Sequence, residues 1–109
     1  MKIAVTYDNG EIFGHFGHTQ QFKIYTVEQN QVVFSEVVPT GDSGHGALAG
    51  FLKEHDVDTL ICGGIGGGAR TALAQAGIQL YPGASGSADQ AVQALLAGAL
   101  QYDPNTVCA

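Results

Sequence analysis

Leu60-Ile61-Cys62-Gly63-Gly64-Ile65-Gly66-Gly67-Gly68-Ala69 runs directly into Arg70-Thr71-Ala72-Leu73-Ala74-Gln75-Ala76, which stops at Gly77. A short apolar run ends in a thiol, the thiol opens a glycine-rich loop, and the loop leads into a helix-like stretch. Strand, loop and helix in that order form the unit whose loop lies at the carboxyl end of a sheet, where open α/β sheets bind ligands. Glycines let a bound group approach the backbone closely and leave N–H groups for anions. The Gly63, Gly64, Ile65, Gly66, Gly67 and Gly68 segment is therefore the candidate cofactor cradle, and Cys62 offers a soft sulfur ligand at its mouth.

Working outward, Lys2 to Tyr7 is a β-like run closed by Asp8-Asn9-Gly10. Glu11 to His18 is a loop rich in glycine and histidine. Gln21 to Val27 alternates, a polar turn follows, and Gln31 to Val38 returns as a Val-rich strand closed by Pro39. A helix is expected from His45 to about Glu54, capped by Ser43 or Gly44, with Leu48, Phe51, Leu52 and His55 on one face. Thr59 to Cys62 is the fourth strand and Ile78 to Tyr81 a short fifth. Ser87 with Gln90 makes a capping box. The helix it opens carries Val92, Leu95, Leu96, Ala99 and Leu100 on one stripe, and the tail from about residue 101 is expected to be loose. The order β-β-β-α-β-α-β-α predicts an α/β fold with a mixed five-stranded sheet and helices on both faces, in a single domain spanning 1–109.

Composition narrows the function. The chain is 45% apolar and 13% charged, with net charge −6 and four scattered cations. No basic patch can be assembled, so nucleic-acid binding is excluded as an expectation. The apolar runs are too short to span a membrane. Met1-Lys2-Ile3-Ala4-Val5 enters a strand pattern at once, which makes the cytoplasm the expected compartment. Cys62 and Cys108 are then read as free thiols.

His15, His18, His45 and Cys62 fall in loops or at element ends, and parallel strands would bring several of them to one edge. Imidazole and thiolate together suit zinc, copper, iron or a metal–sulfur cluster. Each residue also has an ordinary structural reading: Cys62 as a small core hydrophobe, His15 and His18 as surface, His45 as a helix-start residue. His55 at a helix C-terminus reads as structural. The glycine loop fits G-x-G-x-x-A but lacks the acidic residue expected at the end of the next strand, and it lacks G-K-[ST], so nucleotides are disfavoured. No G-x-S-x-G pattern is present. A Cys62–His18 nucleophile pair remains as a minor enzymatic alternative.

Phe16-Gly17-His18 with Phe22-Lys23-Ile24-Tyr25, His45-Gly46, Ile61 to Ala69, Gly77-Ile78, Tyr81-Pro82-Gly83, Ala91-Val92 and Leu95 to Leu100 resembles the dinitrogenase iron–molybdenum cofactor biosynthesis family, the small nitrogenase-accessory-factor-like domains. The resemblance runs from about Lys2 to Leu100. It implies a ribonuclease H-like three-layer α/β/α fold. It also implies a non-catalytic role: binding, carrying or inserting a metal–sulfur cluster of Mo/Fe or Mo/Cu type, with metallocluster donor and acceptor proteins as partners. His18, His45 and the glycine loop match positions of the family pattern. Cys62 lies within the loop motif, and His15 is outside the pattern. The competing expectation is a metal-free regulatory or interaction domain that binds a small anion or a protein partner at the glycine loop.

Overall fold

The computed structural model describes residues 1–41 and 47–106. The elements are β1 (Lys2–Asp8), β2 (Glu11–Ile12), a 3-10 turn (Phe16–His18), β3 (Gln21–Glu28), β4 (Gln31–Pro39), α1 (Leu48–Glu54), β5 (Thr59–Ile61), α2 (Gly67–Gln75), β6 (Gln79–Tyr81) and α3 (Ala88–Leu96). One mixed sheet has the order β4-β3-β1-β5-β6, with β2 pairing β1 off that path. β5 runs parallel to both β1 and β6, whereas β3 is antiparallel to β1 and to β4.

The sheet therefore has six strands, not the expected five. Asn9 and Gly10 both take positive φ, 51° and 93°. That is the geometry of a two-residue hairpin turn whose twist matches paired strands. It folds Glu11 and Ile12 back onto Asp8 and Tyr7, inside what the sequence suggested was loop.

The two sheet faces bury separate cores. Ala4, Phe22, Ile24 and Leu60 pack under α1 and α2 with Leu48, Leu52 and Leu73. Ile3, Val5, Tyr25 and Ile61 pack under α3 with Ala88, Ala91 and Val92. The alternation of β1, β3 and β5 is thus apolar on both faces, as a sheet covered on both sides requires.

The helices start differently but end alike. Ser87 Oγ accepts from the Gln90 N–H at 3.2 Å, the expected cap of α3. At the other ends, Val57, Ile78 and Ala99 N–H groups donate to Leu52, Leu73 and Ala94 carbonyls at 3.1, 3.0 and 2.8 Å. Each is the six-to-one bond of a Schellman motif. It ends α3 at Leu96, so Ala99 and Leu100 lie beyond the helix whose stripe they seemed to continue. The expected caps of α1, Ser43 and Gly44, lie outside the described residues, and the helix begins at Leu48. Residues 101–106, expected to be loose, are held: Asp103 N–H donates to Pro82 O at 2.8 Å, and the Tyr102 ring meets Tyr81 edge-on.

Candidate functional site

Three loops meet at the carboxyl ends of β1, β5 and β6. The first carries Phe13-Gly14-His15-Phe16-Gly17-His18, a doubled Phe-Gly-His. The second is the glycine loop, and the third runs from Pro82 to Ser87. Backbone bonds zip them together. Gly64 N–H donates to Gly14 O at 2.7 Å and Phe16 N–H to Gly64 O at 2.9 Å, pairing His15 with Gly64 as an isolated parallel bridge. Gly83 N–H donates to Gly63 O at 2.9 Å, and Ala84 N–H to Cys62 O at 3.0 Å.

Gly63 permits that meeting. A Cβ there would lie 2.8 Å from Gly14 Cα and 2.9 Å from Gly14 O. Both contacts are backbone, so the two loops could not close with any larger residue.

The doubled motif splits by role. Phe16 is buried against Phe22, ring to ring at 6.1 Å. His15 and His18 stay exposed, their rings 6.3 Å apart and nearly perpendicular. Beside His18 lies a pocket of ≈ 430 Å³, lined by Tyr7, Asp8, Phe13, Gln20, Gln21 and Pro39 as well as the imidazole.

The glycine loop divides in the same way. Gly63 and Gly64 are consumed by the loop junction. Gly66, Gly67 and Gly68 are not: a Cβ on any of them would meet nothing within 4 Å, and none takes positive φ. Gly66 caps α2 without a side-chain hydrogen bond, and the first turn contains no acidic residue. Bare backbone N–H groups at a helix start carry partial positive charge and suit an anion.

Cys62 sits elsewhere. Its side chain is 0% exposed, within the core cluster that includes Phe16, Ile65 and Leu73. Burial pushes its thiol up to about 12, with the Arg70 guanidinium pulling weakly the other way. That is the behaviour of a core thiol and the reverse of an activated one. The structure thus brings His15, His18 and the glycine turn to one edge and turns Cys62 inward beneath them. His45 and Cys108 lie outside the described residues. Among the described residues, no three His, Cys, Asp or Glu side chains gather as a preformed metal centre.

A wider cavity of ≈ 810 Å³ opens at the opposite edge, lined by Met1, Asn30, Asp58, Gln79 and Leu96 among others. It contains no histidine or cysteine, and Asp58 is already engaged by Lys2 N–H and the Thr59 hydroxyl. Of these two, the smaller carboxyl-edge pocket has the ligand chemistry.

Two contributors escaped the sequence reading. One is the pocket wall from Tyr7, Phe13 and Pro39; the Phe-Gly-His repeat was its available signal. The other is Arg70, whose guanidinium donates to Pro104 O at 2.9 Å and to Thr106 O. Nothing in its own neighbourhood of sequence marks that long-range contact. Among the described residues, no helix is long and apolar enough to cross a membrane.

A family model described as dinitrogenase iron-molybdenum cofactor matches residues 1–98. An uncharacterized protein of Methanocaldococcus jannaschii is 30% identical over 106 residues, 93% of this chain and 90% of that one. The FeMo cofactor biosynthesis protein NifB of Sinorhizobium fredii is 34% identical over 87 residues; the match takes in 72% of this chain but only 18% of NifB. The apo form of the orange protein from Desulfovibrio gigas has the same fold, with TM-score 0.81, 29% identity and coverage of 94% and 92% of the two chains. With the family pattern matched across nine-tenths of its length, the chain belongs to the dinitrogenase iron-molybdenum cofactor family.

Proposed function

We propose that this chain binds and carries a metal–sulfur cluster as cargo at the carboxyl edge of its sheet, without turning it over. The observation that carries the reading is the bare turn Gly66-Gly67-Gly68 standing beside the His15–His18 loop. Glycine costs a helix about 1 kcal/mol relative to alanine. Here neither backbone conformation nor packing demands it. Gly66 is at home as the cap of α2; close approach of a bulky anionic group accounts for Gly67 and Gly68 after it.

His18 at the pocket mouth would be the imidazole ligand or hydrogen-bond donor, with His45 its proposed companion and His15 the adjacent ring. Gly63 and Gly64 would position the loops, and Gly66 to Gly68 would line the cargo. Cys62 acts as a core residue in this reading, because a thiolate ligand would require bringing a buried side chain out to the cluster. The raised thiol also argues against a Cys62 nucleophile and so against a cysteine-dependent enzyme. The cluster is of Mo/Fe or Mo/Cu type in this proposal, passed between donor and acceptor proteins in the cytoplasm. NifB, by name a FeMo cofactor biosynthesis protein, supports the Mo/Fe class of cargo as a relative. The strand order, with one antiparallel strand between β1 and β4, supports a ribonuclease H-like reading of the fold.

Anaerobic titration with a thiomolybdate–copper or iron–molybdenum cofactor preparation tests this, followed by visible absorption. A charge-transfer band should develop and weaken in His18→Ala and His45→Ala, while Cys62→Ser leaves it in place. Absence of a band, or one indifferent to both histidines, would sink the proposal. Metabolite binding by metal-free protein, unaffected by His18→Ala, would favour the regulatory-domain alternative.

A further inference from the structure

The strap formed by residues 102–106 is fastened at several points. Asp103 N–H donates to Pro82 O at 2.8 Å, Thr106 N–H to Asp103 O at 3.2 Å, and Asn105 N–H to Asp103 Oδ1 at 2.9 Å. Gly83 lies directly beneath it. Its φ is +73°, and a Cβ would come within 2.7 Å of Asp103 Cβ and 2.9 Å of Asp103 N. Only glycine allows the crossing.

The far end of the strap grips Arg70 in the first turn of α2. Two carbonyls, Pro104 O and Thr106 O, accept from its two terminal nitrogens. Carbonyls orient a guanidinium without neutralising it. The other cations are differently placed. Lys23 is paired with Asp89 at 2.8 Å, the one ion pair among the described residues. Lys53 donates to Ala76 O, just beyond the last turn of α2, and Lys2 opens β1 at the opposite edge. Arg70 is therefore the cation beside the glycine turn that, among the described residues, has no carboxylate partner. In a chain of net charge −6, such a charge makes the potential there locally more favourable to an anion.

We infer that Arg70, held in place by the strap, selects for anionic metal–sulfide cargo at the Gly66–Gly68 turn. The inference rests on the cluster-carrying reading and assigns its electrostatic determinant. A guanidinium is suited to this because it stays charged, is weakly hydrated, and has five donor hydrogens, so hydrogens remain after the strap is served. Asp103 adds a negative charge to the strap, which the Asn105 N–H orients without neutralising, and among the described residues no ion pair joins it to Arg70.

The full chain titrated with tetrathiomolybdate, followed by visible absorption at low and high salt, tests the assignment. Arg70→Gln should weaken binding about tenfold, the size expected for one charge near a dianion in a solvated site, and should flatten the salt dependence. Arg70→Lys keeps the charge but cannot serve both strap carbonyls with a guanidinium's geometry, so it should fall between the parent and Arg70→Gln while keeping the salt dependence. Gly83→Ala, which disturbs the strap and leaves Arg70 intact, should lose affinity; circular dichroism would establish that each variant is folded. If Arg70→Gln binds as well as the parent, with the same salt slope, while His18→Ala is weakened, the Arg70 inference fails and the carrier reading stands. If the parent chain binds no thiometallate, both fail.

Discussion

Replacing Gly67 and Gly68 by alanine should make this protein more stable and worse at binding the proposed cluster. Both residues lie in the first turn of α2, both are exposed, and an added Cβ would meet nothing within 4 Å. Alanine is better than glycine in a helix by about 1 kcal/mol in the interior, and by about half that in a first turn. The pair should therefore gain about 1 kcal/mol. At about 2.1 cal/mol/K per residue, a chain of 109 residues unfolds with an entropy of about 0.23 kcal/mol/K. The melting temperature should rise by about 4 °C, measurable by circular dichroism. The two methyl groups would stand on the face proposed for the cluster, so the charge-transfer band should need at least about tenfold more cluster, a loss of about 1.4 kcal/mol. A higher melting temperature with an unchanged titration would refute the claim that the bare turn is a cradle. A lower melting temperature would refute the claim that these glycines are structurally dispensable.

Three other outcomes follow from the packing. Gly63→Ala should cost about 2–3 kcal/mol and lower the melting temperature by about 10 °C, because its Cβ would strike Gly14 backbone and pry apart the two loops; a shift under about 2 °C would show that the junction yields. Cys62, pushed up to about 12 by burial, stays protonated in the folded chain while the unfolded thiol ionises from about pH 9. Stability should therefore fall as pH rises from about 9 toward 12, by roughly 4 kcal/mol in all, and urea titrations of Cys62→Ala should show a shallower decline; Tyr25, also raised by burial and its Asp89 bond, accounts for what slope remains. The Lys23 ammonium and then the Tyr25 hydroxyl hold the Asp89 carboxyl below its ordinary range. Its contribution is present at neutral pH and lost as pH falls through that lowered value, so Asp89→Asn should cost about 0.5–1 kcal/mol at pH 7 and nothing in strong acid. A difference that persists in acid would mean that packing, not charge, sets the effect.

How much of this was legible in the sequence depends on the range of the interaction. The strand–loop–helix unit at Leu60 to Ala76 was readable because it is local: apolar run, glycines, then helix formers. The Ser87–Gln90 cap was readable for the same reason, spanning three residues. β2 was missed although Asn9-Gly10 is a strong hairpin signal, because a two-residue strand has too few side chains to show alternation. The inward turn of Cys62 follows from its place one residue past β5, where Phe16 and Leu73 close over it; that depends on elements 46 residues before and 11 residues after, and no local pattern encodes it. The strap was missed for the same cause, since Arg70 and Thr106 are 36 residues apart.

This difference in range bears on how the site works. The glycine loop looks uniform in sequence, yet long-range contacts divide it into two halves with opposite constraints. Gly63 is glycine because another backbone occupies the space a side chain would need. Gly66, Gly67 and Gly68 are glycine although nothing among the described residues occupies that space. The first half locks the histidine loop to the sheet; the second leaves an uncapped helix start facing outward. A rigid floor under an open, electropositive turn is the arrangement that preorganises a site for a cargo too large for a closed pocket. The same arrangement sets the order in which substitutions should act. Changes at Gly63 should lower stability and binding together, whereas changes at Gly67 and Gly68 should move them in opposite directions. Measuring both quantities on the same three variants separates a structural glycine from a binding one. If all three shift stability and binding in the same direction, the division of the loop drawn from these contacts is wrong.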